Sequence, residues 1–143
     1  MIALLLAAAI GMGVSLVGTR YLVPWLQAHG VGQPIRLDGP QGHMTKAGTP
    51  TMGGVAIVGG ALAGYLVSHL RAETIMTRSG ITLMLAIVGA GAVGLLDDYI
   101  KVSRERNLGL NKKAKVIGLL SVAFGFAFLA IYWAKTASAI TFT

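Results

Sequence analysis

The chain contains no cysteine, so neither a disulfide framework nor a cysteine-ligated zinc site holds it together. Charge is scarce as well: only 12% of its 143 residues are Asp, Glu, Lys or Arg, against 55% hydrophobic residues. A soluble domain has about twice that charged fraction. With a mean hydropathy of +0.72, a water-soluble fold is excluded and an integral membrane protein is expected. Acidic residues are the rarest charged class, five against twelve basic ones, for a net charge of +7. In a soluble protein that imbalance would suggest nucleic acid. Here the basic residues cluster between apolar runs, as in cytoplasmic membrane loops, and no nucleic-acid partner is expected. Proline is also sparse, and three of the four prolines lie within residues 30–50 together with five glycines, which marks that stretch as a loop.

Between these polar stretches lie four apolar runs. The first, residues 2–17, has no charge before Arg20 and is followed by Tyr21 and Trp25 at interfacial depth. No Lys or Arg precedes it, as a secretory signal would require, so it reads as a retained helix. Residues 52–70 are long enough to cross a bilayer at about 1.5 Å per residue. The third run ends at Leu96, and the fourth closes on Tyr132 and Trp133. The expected fold is an all-α polytopic membrane domain with four transmembrane helices at about 2–19, 52–70, 80–100 and 116–134, and cytoplasmic loops at about 28–50 and 101–115. The 20 glycines lie inside apolar runs and read as helix contacts. Gly60 and Gly64 form one small-residue pair, and Ala86, Ala90 and Gly94 line another face at four-residue spacing. Nine of the twelve basic residues fall on the face of the two long loops, leaving Arg71, Arg78 and Lys135 on the other. By the positive-inside rule both long loops are cytoplasmic and the N-terminus is outside.

One stretch does not fit a purely structural reading. In Gly94-Leu95-Leu96-Asp97-Asp98-Tyr99-Ile100-Lys101 an apolar run ends in two adjacent carboxylates, which are costly at membrane depth and suggest a function. On a helix, Lys101 is within reach of both Asp97 and Asp98, while the carboxylates point about 100° apart. The plainer alternative is a helix that stops at the membrane surface with solvated charges and a lysine in its last turn. The topology adds a second stretch to the same face. Lys46-Ala47-Gly48-Thr49-Pro50-Thr51-Met52-Gly53-Gly54 leads into the second helix, with Pro and Thr suited to a first turn and free amides that favour an anion. Lys46 and Thr51 can therefore share a site with Asp97, Asp98 and Lys101.

Taken together, Lys-x-Gly-Thr-Pro-Thr-Met-Gly-Gly, the later Gly-Leu-Leu-Asp-Asp-Tyr-x-Lys, and Gly109-Leu110 with four residues between it and Lys115 resemble the phospho-N-acetylmuramoyl-pentapeptide transferases. These belong to the polyprenyl-phosphate N-acetylhexosamine-1-phosphate transferases. The resemblance covers the whole of this chain, whereas family members have about ten transmembrane helices, so the chain reads as an N-terminal fragment, expected to be inactive alone. It implies a Mg2+-dependent phosphoglycosyl transferase of the bacterial inner membrane, multi-pass, with its active site on the cytoplasmic face. The implied reaction moves phospho-MurNAc-pentapeptide from UDP-MurNAc-pentapeptide to undecaprenyl phosphate, giving lipid I and UMP for peptidoglycan synthesis. Asp97 and Asp98 are then the catalytic candidates, with Asp97 favoured for any proton removal and Asp98 for the metal, whose principal ligand is expected outside this stretch. Lys46, Thr51, Lys101 and Lys115 are the substrate-binding candidates. Such chemistry asks chiefly for positioning and charge neutralisation, and the lipid phosphate is already largely a dianion at pH 7.

Two alternatives stay open: a GlcNAc-1-phosphate transferase of the same superfamily, and a non-enzymatic four-helix membrane protein whose carboxylates pair with Lys101 for structural reasons. Homodimerisation is a further open point. The nine-to-three division of basic residues makes the topology testable. Cysteines introduced at Ser103 and Thr74 should label from opposite sides of the membrane, Ser103 from the cytoplasm, and labelling from the same side would remove the shared-site argument.

Overall fold

A computed structural model describes residues 2–31, 52–71, 76–104 and 108–135; among these residues all regular structure is helical. Four helices follow one another, α1 (Ile2–Ala28), α2 (Gly54–Arg71), α3 (Arg78–Ser103) and α4 (Lys112–Phe128), and α4 continues into a π-helical turn, Leu129–Trp133. α1, α3 and α4 with its π turn are long and apolar enough to cross a membrane. α2 is shorter, with 18 residues, about 27 Å at the α-helical rise. Its late start has a local cause. Met52 has a left-handed φ of 75° and Gly53 forms a turn, so the chain enters the helix only at Gly54.

The helix ends follow from local chemistry. α1 runs past Arg20 and tolerates Pro24 within it, then stops at Gly30, whose φ of 69° suits the left-handed end of a helix. Gly30 N–H donates to Gln27 O at 3.1 Å and Val31 N–H to Leu26 O at 2.8 Å, so the last carbonyls of α1 are used. At the start of α3, Thr77 is the N-cap and its hydroxyl accepts the Gly80 N–H at 3.1 Å. In the π turn Ala134 N–H reaches back five residues to Leu129 O at 2.8 Å.

Small residues decide how closely the helices pack. A Cβ on Gly60 would lie 2.5 Å from Gly11 O, and one on Gly64 2.5 Å from Ala7 O, so the Gly60/Gly64 pair seats α2 directly on the backbone of α1. Between α2 and α3, Gly91 faces Val58, and between α3 and α4 Gly89 faces Val122 while Gly118 faces Val93. Each of these pairings runs antiparallel, so the chain reverses direction at every helix, although only α1, α3 and α4 with its π turn meet the length expected of the four crossings. The Ala86, Ala90 and Gly94 row is not the closely packed face: a Cβ on Gly94 would have nothing within 4 Å. The close contacts fall instead on Gly89 and Gly91, because the neighbours that approach α3 carry β-branched Val side chains that need a glycine opposite.

This bundle encloses almost no apolar interior. Among the described residues Leu26 is the sole buried hydrophobic one, whereas Leu4, Leu83, Phe124 and many others are exposed. That surface suits hydrocarbon, and the helix contacts rest on close backbone approach. Gly60→Val should therefore force α1 and α2 apart and destabilise the bundle by about 1–3 kcal/mol. Gly125→Ala, at a position with no neighbour within 4 Å, should leave the thermal midpoint in detergent unchanged or raised. Equal midpoints for Gly60→Val and wild type would refute this packing.

Candidate functional site

The antiparallel order places the start of α2, the end of α3 and the start of α4 at one end of the bundle, and the carboxylate pair lies where they meet. Asp97 is buried and Asp98 partly exposed, with side-chain exposures of 7% and 26%. Lys101, one turn further along α3, donates to both, at 2.7 Å from Asp97 Oδ2 and 2.9 Å from Asp98 Oδ1. Its bridging position fulfils the spacing expected on a helix.

Beyond that lysine the two carboxylates separate in the direction their helical offset dictates. Asp97 turns towards α4: its Oδ2 also meets Lys115 Nζ at 3.1 Å, and its Oδ1 accepts the Leu110 N–H at 2.8 Å. Asp98 turns towards α2, and its Oδ2 accepts the Met52 N–H at 3.0 Å. Each carboxylate is thus tied to a different, sequence-distant segment. The first turn of α4 carries Lys112, Lys113 and Lys115 and no acidic residue, an arrangement the helix dipole disfavours. Asp97, held just ahead of that turn, supplies the missing negative charge.

A cavity of about 530 Å³ runs between α2 and α3, bordered by Val55, Val58, Leu62, Val88 and Leu95 and reaching Met52, Asp97 and Asp98. It is apolar along its length and acidic where the pair lies. Gly94, which has no packing partner, also borders it.

The expected site residues fall into two groups. Asp97, Asp98, Lys101 and Lys115 come together as one ionic cluster. Lys46 and Thr51 lie outside the described residues, although the adjacent Met52 reaches Asp98 and so brings the end of their stretch to the cluster. The donors that sequence reasoning missed are backbone amides, those of Met52 and Leu110. The sequence gives no sign of a particular N–H donor. A lone glycine in a basic loop, Gly109, was the available hint of a close approach there. As for a metal, no group of three or more His, Cys, Asp or Glu side chains converges among the described residues. A Mg2+ ion, which needs few protein carboxylates, would fit that donor set, with Asp98 as the more accessible residue to help hold it.

Fold and site together define a helical multi-pass membrane protein with a carboxylate–lysine cluster where its helix ends meet. Residues 46–58 match the phospho-N-acetylmuramoyl-pentapeptide-transferase signature 1. The chain is 45% identical over 127 residues to the phospho-N-acetylmuramoyl-pentapeptide-transferase of Frankia alni, a match covering 89% of this chain and 36% of that protein. It is 45% identical over 131 residues to the transferase of the same name from Beutenbergia cavernae, covering 92% and 36%. The counterpart from Renibacterium salmoninarum is 44% identical over 140 residues, covering 94% and 38%. No solved structure matches the chain. The chain belongs to the phospho-N-acetylmuramoyl-pentapeptide-transferase family, and it spans a little over a third of the length of these relatives.

The geometry separates the two lysines. Lys101 touches both carboxylates and is 21% exposed, whereas Lys115 touches one and is 46% exposed. Lys101→Met leaves a buried carboxylate short of its main partner and should cost about 3 kcal/mol or more. Lys115→Met should cost only about 0–1 kcal/mol. Chemical unfolding in detergent checks the order, and a Lys115→Met cost equal to that of Lys101→Met would refute it.

Proposed function

We propose that this chain forms part of a transferase that moves phospho-MurNAc-pentapeptide from UDP-MurNAc-pentapeptide to undecaprenyl phosphate, giving lipid I and UMP. The observation that carries this reading is the contact from Met52, inside the matched signature, to Asp98. It joins a stretch shared with named transferases to the carboxylate–lysine cluster at one end of the bundle.

An oxygen of the lipid phosphate attacks the β-phosphorus of the nucleotide diphosphate. The new P–O bond forms as the bond from the β-phosphorus to the bridging oxygen breaks, and UMP leaves with that electron pair. Such a transfer needs cations beside the phosphates and a carboxylate beside the acceptor. Lys115, the more exposed lysine, is suited to meet a substrate phosphate, and Lys46 and Thr51, earlier in the sequence than α2, are further candidates for that role. Lys101, in contact with both carboxylates, holds the pair in place. The acceptor is largely a dianion near neutral pH, so a carboxylate is needed only for its remaining protonated fraction.

The two carboxylates are unequally placed for that task. Asp97 is buried, and both its oxygens are occupied by Lys101, Lys115 and the Leu110 N–H. Asp98 also has a partner on each oxygen, Lys101 and the Met52 N–H, and both carboxylates border the cavity, but Asp98 is the more exposed. We therefore assign the acceptor-facing role to Asp98, alongside the support of the metal that the resemblance already gives it, and the organisation of the lysines to Asp97, which the resemblance favours for proton removal. Mg2+, held with help from Asp98, would neutralise charge on the diphosphate. The site would lie on the cytoplasmic face of a bacterial inner membrane, with the N-terminus outside.

Membranes containing the full-length protein should make lipid I from UDP-MurNAc-pentapeptide and give no product from UDP-GlcNAc. The opposite preference would favour the GlcNAc-1-phosphate alternative, and no product from either would favour the non-enzymatic one. In the full-length protein Asp98→Asn should lower turnover by about a hundredfold or more, through loss of the charge that would help hold Mg2+ beside the diphosphate rather than through proton removal, with little change in stability. Asp97→Asn should lower thermal stability as well as turnover. Turnover within about threefold of wild type for folded Asp98→Asn would exclude its proposed role.

A further inference from the structure

Residues 108–111, just ahead of α4, lie against the end of α3 and present their backbone to Asp97. A Cβ on Gly109 would run into Asp97 Oδ1, and would lie 2.6 Å from the Asp97 carbonyl oxygen and 2.7 Å from its Cγ. A short side chain could rotate away from such an intrusion. The carbonyl oxygen belongs to the backbone of α3 and cannot. Gly109 is not in the left-handed region, unlike Gly30, so the requirement at this position is for space.

What that space permits is specific. The next residue, Leu110, places its N–H 2.8 Å from Asp97 Oδ1, and the same segment leads into Lys115, which reaches Asp97 Oδ2. An added methyl group at Gly109 would lift the segment from α3, withdraw the amide and draw the start of α4 away from the pair. Lys101, on α3 itself, would stay in place. The alteration would therefore fall on one carboxylate and on the more exposed lysine. It would leave the contact between Met52 and Asp98 intact.

We propose that Gly109 is a positioning residue: by lacking a side chain it lets the Leu110 amide and Lys115 close on Asp97, and so fixes the lysine that meets the substrate phosphate. The catalytic consequence rests on the transferase reading, whereas the closure on Asp97 does not. A displacement of about 1 Å at a reacting centre can cost about a hundredfold in rate.

The experiment compares Gly109→Ala with Gly125→Ala, a helical control away from the cluster, in the full-length protein. It reads lipid I synthesis, thermal midpoint and hydrogen exchange at the Leu110 amide. Gly109→Ala should lower kcat by about ten- to a hundredfold, leave KM within about twofold and accelerate Leu110 exchange, while Gly125→Ala leaves all three near wild type. Asp97→Ala should accelerate exchange at the same amide, and Gly109→Ala added to it should accelerate it no further. Unchanged Leu110 exchange in Gly109→Ala, or a further acceleration in the double variant, would overturn the proposed closure. Accelerated exchange with kcat within about threefold of wild type would overturn the positioning role. If Gly109→Ala fails to fold, Asp97→Ala alone decides, and unchanged exchange there overturns the proposal. Should the wild-type protein make no lipid I, the transferase reading fails, while the exchange comparison still tests the closure.

Discussion

A carboxylate placed out of water must be matched by positive charge and by hydrogen bonds, and Asp97 imposes that requirement on three segments at once. Desolvating an ion costs several kcal/mol even after the surroundings relax, about the scale of a whole domain's net stability. The structure meets the requirement with Lys101 from the same helix, Lys115 from the next and the Leu110 amide between them. Much of the geometry at this end of the bundle follows. α4 must start close enough to deliver Lys115, and the segment before it must approach without a side chain at Gly109.

Asp98 imposes a milder condition in the opposite direction. Its contact with the Met52 N–H draws the entry of α2 to the end of α3, and the left-handed backbone at Met52 belongs to that entry. Such a conformation is uncommon for a residue with a side chain and tends to occur where the surroundings over-determine it. The pair therefore fastens α2 and α4 to α3 through adjacent residues. The 100° between their directions sends one carboxylate to each neighbour.

Farther along the helices a different constraint takes over. With Leu26 the sole buried hydrophobic residue among those described, the bundle is not driven together by an apolar interior. In a bilayer such burial would gain little, because lipid is as apolar as leucine. Close backbone approach at Gly60 and Gly64 and glycine–valine pairing around α3 set the spacing instead. The polar end holds the carboxylate–lysine cluster, and the apolar length carries the exposed surface that suits a bilayer.

Helix number, helix order and membrane character were legible in the sequence, because hydrocarbon demands long uncharged runs and leaves few alternatives to a helix. So was the Lys101 bridge, since spacings of three and four residues fix neighbours on one helix whatever surrounds it. The Gly60/Gly64 contact was legible for a similar reason, as a four-residue repeat of small side chains. The sequence did not show which face of α3 packs: Ala86, Ala90 and Gly94 form an equally regular row, and the position of the partners' valines decided for Gly89 and Gly91. Nor could it show that Asp97 is the buried member of two adjacent, identical side chains and Asp98 the more accessible one. That difference depends on where α2 and α4 stand around α3, and on two backbone amides, from Met52 and Leu110, which every residue but proline possesses and which only tertiary structure can aim.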